Sequence, residues 1–335
     1  MKTDPITVVG QGSFAFGGNV IADAAGRTLH VDHGYAQFQI PVQPREHSIV
    51  MWHASSSATW ESTFDGREGF QTDFLRRGFP VYVIDAPRQG RAGQAGTPAS
   101  ITPEIGRDQL TFNLWRLGNW SPPAPPRFYP NVQTPDDVDA FLDQLLRARY
   151  PTLGPEEPDV EAGAVVALLE RTGPAILFTH SGSGKRGWLV AIKTSWARCI
   201  VAFEPVAFVF PEGARPDDIP TENEAARLRI APIIVADNDF ERLAKIPIAI
   251  VFGDNIATEP NADLPQELWR VVVARALQFV ATVNRYGGDA TIIRLPEVGL
   301  RGNSHVPMQD ANSARVAAVV MAFLEEHALA NGGRG

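Results

Sequence analysis

Residues 175–194 read AILFTHSGSGKRGWLVAIKT, and the reading of the middle of this stretch decides the fold. A short apolar run of strand formers, Ala175 to Phe178, leads into a Ser/Gly segment. Trp188, Leu189 and Ile192 then recur at helical spacing. The Gly-Lys pair raises a phosphate loop, which needs Gly, four residues, then Gly-Lys and a hydroxyl residue. With Lys185 as the motif lysine, the leading glycine falls on Thr179 and the hydroxyl on Arg186. Both ends fail. The rival is a nucleophile elbow, small-x-Ser-x-small between a strand and a helix. Thr179-His180-Ser181-Gly182-Ser183 fits it, with Thr and Ser where Gly is commoner. Ser183 as the nucleophile would place Lys185 where a small residue is needed, so Ser181 is the candidate. An ordinary Ser/Gly turn would look the same, and only partners elsewhere in the chain separate the two.

Outward from this stretch, strands and helices alternate. Strands are expected at 48–54, 81–86, 199–205, 248–254 and 290–296, and helices at 67–78, 159–173, within 264–286 and from about 311 to 329. That alternation implies a largely parallel sheet covered on both faces. Before it, ITVVG, GSFAFGG and YAQFQIP read as strands separated by Gly-rich turns. Residues 91–158 break the rhythm with NWSPPAPPRFYP and one short helix, DDVDAFLDQLLRAR. A structureless loop of that length is unusual in a compact domain, and a cap over a site is the natural reading. Residues 205–245 are a second irregular stretch that could contribute to it. The expected organisation is one domain over residues 1–335.

Composition narrows the function classes. The chain has 335 residues, 44% hydrophobic and 20% charged, as ordinary globular proteins have. A net charge of −8 with scattered Lys and Arg argues against nucleic acid as a partner. The single cysteine, Cys199, excludes an intramolecular disulfide and argues against a thiolate metal site. Neither a signal-peptide core nor an 18-residue apolar run is present, which points to the cytoplasm and away from a membrane. No cofactor is expected. A small-molecule substrate is, and a second copy of the chain is a candidate partner.

A serine needs a base and a group to orient it. Of the seven histidines, only His305 and His327 follow Ser181 by enough sequence to lie beyond the last strand. His327 falls in the terminal helix, whereas His305 lies in the polar loop RGNSHVPMQD at the edge where such sheets bind ligands. Two carboxylates end strands at that edge, Glu204 and Asp254. Asp254 has the commoner triad position but is also an ordinary turn cap, and Glu204 has fewer structural explanations. An oxyanion hole would use the Gly182 N–H and one from the loop His53-Ala54-Ser55-Ser56-Ser57. Trp115 and Trp120 could line an apolar acyl or aryl pocket, although packing is their commoner use.

HASSSATWESTFDGREGF, FLRRGFPVYVIDAPRQGRAG, THSGSG, VAFEP, VFGDN and RGNSHVPMQD, in that order, resemble the bacterial esterase 713-like group of the α/β-hydrolase superfamily. The resemblance covers most of the chain from about Gly12. It implies an α/β-hydrolase fold and a cofactor-free serine esterase whose acid follows the earlier strand, which falls on Glu204. Members can carry two adjacent cysteines in the oxyanion loop, where Ser55 and Ser56 stand here. The expected activity is cleavage of a carboxylic ester, or a lactone, with an apolar or aromatic part. C–C bond hydrolysis or acyl transfer by the same triad is the catalytic rival. A catalytically inactive binding protein on the same fold is the other.

Overall fold

The eight strands of the central sheet are β1 (Val8–Phe16), β2 (Gly34–Pro41), β3 (Ser48–His53), β4 (Val81–Asp85), β5 (Ala175–His180), β6 (Ala197–Phe203), β7 (Pro247–Phe252) and β8 (Asp289–Arg294). They belong to a computed structural model that describes residues 4–331. Their spatial order is β1-β2-β4-β3-β5-β6-β7-β8. β2 runs antiparallel to both neighbours, and every other pairing is parallel. All residues of β3, β4 and β5 are buried. They read as continuous apolar runs because helices cover both faces of the sheet.

The strand period of two splits the core into two clusters. Val50, Leu177 and Ala202 face one side, against Leu168 of α4 (Pro158–Thr172), Trp188 of α5 (Ser183–Lys193) and Phe279 of α6 (Leu264–Arg285). Met51, Phe178 and Val201 face the other, against Phe74 of α1 (Phe70–Arg76) and Val320 of α7 (Ser313–Glu326). The expected helices and strands of the alternating region all form, with ends moved by a few residues.

Two local expectations need correction. ITVVG and GSFAFGG are one strand, β1, rather than two. Gly10 and Gly12 do not break it, because β1 lies at the sheet edge with β2 as its partner and little side-chain packing to lose. The stretch 205–245 is not irregular: Val209–Pro211 pairs in parallel with Ile233–Val235, and short helices span Glu224–Arg229 and Asp237–Leu243. Residues 91–158 hold α2 (Arg107–Leu114), a two-residue ladder joining Gly118–Asn119 to Arg127–Phe128, and α3 (Val138–Arg147). Only α3 was expected. Phe112, Leu117, Phe141 and Leu145 are fully buried in the same cluster as α1 and α7, so this segment is packed onto the sheet domain rather than draped over it.

Candidate active site

Ser181 follows β5 with φ of 54°, in the left-handed region that an L residue adopts only when its surroundings force it. What forces it is visible. Ser181 N donates to Phe203 O at 2.9 Å, continuing the β5–β6 ladder by one residue, and Gly184 N donates back to Ser181 O at 3.0 Å. Ser183, fully buried, accepts from His180 N at 2.8 Å and lies 2.7 Å from Trp52 O, so its hydroxyl ties the turn to β3. The following helix comes close: a Cβ on Gly184 would lie 2.7 Å from Pro205 Cβ, and one on Gly187 would lie 2.8 Å from Thr179 Cγ2. Thr179 thus sits at the first small position of the elbow because Gly187 makes room for it. The lysine that suggests a phosphate loop pairs with Glu156 at 2.7 Å, and Arg186 pairs with Glu161. Both cations are neutralised by carboxylates.

One strand over, Glu204 repeats the device. It has φ of 52°, its N–H extends the β6–β7 ladder to Val251 O at 2.9 Å, and its side chain is wholly buried. His305 Nδ1 lies 3.4 Å from Glu204 Oε2. The other carboxylate oxygen accepts from Arg116 Nη2 at 2.6 Å and from Gly253 N. Burial raises the Glu204 carboxyl, but the Arg116 charge and the hydrogen bonds from His305 and Arg116 outweigh it and hold the group well below the ordinary carboxylate range. Burial lowers His305, Glu204 opposes that, and the Arg116 and Arg149 charges push it down again, so the imidazole lies below its ordinary range. Among the described residues no hydrogen bond joins Ser181 Oγ to His305.

Arg116 had no signal in the sequence. It lies in the 91–158 segment, fully buried, with a second bond from Nε to Asp254 O at 2.8 Å and its guanidinium 4.5 Å from the Trp269 ring centre. A lone arginine amid NLWRLGNW looks like any solvated one, and nothing local marks it as the counter-charge of a carboxylate 88 residues away.

Asp254, the other candidate acid, does a different job. Its carboxylate accepts from Asn255 N and Gly302 N, both at 2.8 Å, and its N–H bonds Asn303 O at 2.8 Å. It braces the start of the loop that carries His305. Asp310 braces the rest, accepting from Ser304 N, Ser304 Oγ and Asn303 Nδ2 at 2.7–2.9 Å. Gly302, with φ of 79°, lies where residue 131 of the insertion crosses this loop, and any Cβ there would run into Asn131 O.

The backbone N–H groups of Ser55 and Ser56 both point at His53 Nδ1, at 3.0 and 3.1 Å. His53 therefore carries its proton on Nε2. The His180 ring stacks on it with centres 4.4 Å apart, and His180 Nε2 lies 2.7 Å from His305 O. His180 thus fastens the residue next to Ser181 to the backbone of His305. Gly182 lies beside Ala54, whose Cβ would be 3.4 Å from a Cβ added to that glycine. Trp115 packs on His305 with ring centres 5.7 Å apart and accepts the His305 N–H on its carbonyl at 2.9 Å. Trp120 packs edge-on against Phe112 at 5.8 Å, within the insertion. His327 caps the terminal helix and meets Asp289, outside this group. Among the described residues no three His, Cys, Asp or Glu side chains gather where a metal ion could be held, and no helix is long and apolar enough to cross a membrane.

The sheet order, the left-handed serine between β5 and α5, and the acid and histidine at the same edge define an α/β-hydrolase. No family model matches the chain. A solved structure, described as that of a novel bacterial esterase, is 27% identical and superposes with a TM-score of 0.76, covering 97% of this chain and 98% of its own. A curated relative, the probable secreted lipase phiG of a fungal species (strain ATCC 74256), is 25% identical over 325 residues, 86% of this chain and 84% of that protein. The chain thus has the α/β-hydrolase fold and is similar over nearly its whole length to a bacterial esterase, and its enzyme class is that of the carboxylic ester hydrolases. The fungal relative is described as secreted.

Proposed function

We propose that Ser181 is the nucleophile of a serine esterase, with His305 as base and Glu204 as the acid that orients it. The observation that carries this reading is the pairing of a left-handed serine after β5 with a buried Glu204–His305 pair at the same sheet edge. Glu204 receives the Nδ1–H of His305, which leaves Nε2 as the acceptor for the serine proton. Ser181 Oγ then attacks the ester carbonyl, and His305 returns the proton to the departing alcohol. Water repeats the sequence on the acyl-enzyme. The Glu204–His305 contact is long at 3.4 Å, as catalytic hydrogen bonds often are before substrate binds.

The oxyanion would be held by the Gly182 N–H and by Ser55 or Ser56. Two N–H groups share the one lone pair of His53 Nδ1, so one of them is in surplus and free to turn to a developing charge. Residues 91–158 act as the cap in this reading, with Trp115 packed against His305. A lactone is an ester closed on itself and would follow the same steps. Esters are favoured over C–C bonds because the chain's relatives are an esterase and a lipase.

The test is fluorophosphonate labelling together with turnover of a panel of 4-nitrophenyl esters. Ser181→Ala should abolish labelling and lower turnover by roughly 10⁴ to 10⁶. An unlabelled wild-type protein, or more than a tenth of the activity kept in the variant, sinks the assignment.

A further inference from the structure

Arg149 lies in the 91–158 segment just after α3, beside the candidate site, and its surroundings do not account for it. Three more deeply placed arginines meet carboxylates: Arg88 with Asp32, Arg116 with Glu204 and Arg186 with Glu161. A fourth, Arg275, spends its donors on the carbonyls of Ile230 and Asp217 and on Gln278. Among the described residues Arg149 has no ion pair. Its Nη1 donates to the neutral Thr111 Oγ1, and its Nε is buried with no acceptor. The charged groups around it are Arg107, Asp108 and Glu104, of which Arg107 repels it. Burial, with Arg107, lowers the guanidinium to about 10, so it stays charged at neutral pH.

Its position is fixed on the site side. The guanidinium carbon lies 5.3 Å from the centre of Trp115, whose ring is 5.7 Å from that of His305. Its charge reaches both His53 and His305. The next residue, Tyr150, donates its N–H to Ser55 O at 2.8 Å, in the loop expected to face the oxyanion. Arg149, Ser181, Gly182 and Ser55 are all half-exposed, whereas His305 and Glu204 are buried.

We propose that Arg149 is the recognition group for an anionic ester, one that carries a carboxylate besides the bond to be cleaved. A guanidinium has five donors in a planar fork that matches a carboxylate, and this one uses a single donor on a hydroxyl. The charge-assisted bond would form in a partly desolvated place, where it is worth more than at the surface. The proposal rests on the serine-esterase reading above and names its substrate class. The chemistry at Ser181 is unchanged: the ester bond breaks as before, and the free carboxylate is only held.

The experiment compares kcat/KM for matched esters in wild type, Arg149→Met and Arg149→Lys. One arm puts the carboxylate on the acyl side, the 4-nitrophenyl monoester of adipic acid against 4-nitrophenyl hexanoate. The other puts it on the alcohol side, 4-acetoxybenzoate against 4-acetoxybenzamide. In one arm the anionic-to-neutral ratio should fall about ten- to a hundredfold in Arg149→Met, mainly through KM, the size expected for one hydrogen bond to a charge. Arg149→Lys should recover part of it. Ratios that stay within about threefold in both arms overturn the proposal, as does a loss shared equally by anionic and neutral esters, which would mark Arg149 as structural. Fluorophosphonate labelling separates the levels: a labelled enzyme indifferent to charge loses only this inference, and an unlabelled, inactive wild type loses the esterase reading with it.

Discussion

Replacing Arg116 by Met tests the buried charge pair behind the candidate base. The change removes the 2.6 Å bond to Glu204 Oε1, the bond to Asp254 O and the contact with the Trp269 ring, while keeping most of the side chain's volume. Glu204 would then be a carboxylate with no cation in a wholly buried place. Breaking one side of a buried pair costs about 3–5 kcal/mol, and removing both sides is often near neutral. Urea unfolding should therefore show a loss of that size for Arg116→Met and a return to within about 1 kcal/mol of wild type for Arg116→Met/Glu204→Gln, a coupling read as a double-mutant cycle.

A second readout separates electrostatics from packing. Glu204 is depressed in the folded protein, so its stabilisation is present above its ordinary value of 4.5 and lost as pH falls through the folded one. Without Arg116 that acid-side loss should begin at higher pH. Activity should move in the same direction. His305 must be neutral to act; burial lowers it most, and Arg116 lowers it further. The acid limb of kcat/KM should thus shift upward in pH in Arg116→Met. An unmoved limb together with a cost below about 1 kcal/mol would refute the account, since a broken buried pair cannot be that cheap.

Glu204→Gln should lose on the order of 10⁴ in turnover while remaining folded by circular dichroism, because the amide spoils the imidazole tautomer. Asp254→Asn should lose far less turnover and show its cost as reduced thermal stability; if it proves the more inactive of two folded variants, the acid is Asp254. Burial raises Asp310 to about 7 against the hydrogen bonds of Ser304 and Asn303. A carboxyl raised on folding binds its proton more tightly in the native state, so unfolding free energy should fall as pH climbs from about 4 to 7. Asp310→Asn should flatten that slope in urea titrations, and an unchanged slope would assign it to other groups.

The sheet was legible because its strands are buried on both faces and therefore read as uninterrupted apolar runs between helical periods. Ser181, Glu204 and His305 stood out for a related reason: each is a polar residue at the end of an apolar strand or in the loop after one. What stayed hidden depends on distant partners. Arg116 gains its meaning only from Glu204. The sequence marks Ser55 and Ser56 as residues of the loop that would face an oxyanion, but nothing local tells that their N–H groups converge on His53 Nδ1. The Gly-rich start suggests two strands parted by a turn because glycine usually punctuates, but an edge strand with few side-chain contacts tolerates Gly10 and Gly12 within it. Within residues 91–158, α2 escaped notice because RDQLTFNL buries only Thr111 and Phe112 and so shows no apolar stripe.

The contacts that seat His305 also set when the protein becomes active as it folds. Its N–H is held by Trp115, its carbonyl by His180, and its loop by Asp254 and by residue 131. These partners lie between about fifty and a hundred and ninety residues away along the chain, and such distant closures are made late, after local structure and nearby strands have formed. In the proposed assignment, a half-folded or nascent chain therefore carries a serine with no base, chemically inert toward every ester around it. On refolding, ester turnover should return after tryptophan fluorescence has reached its native value. Simultaneous return would mean that these long-range closures are already made in the rate-limiting step.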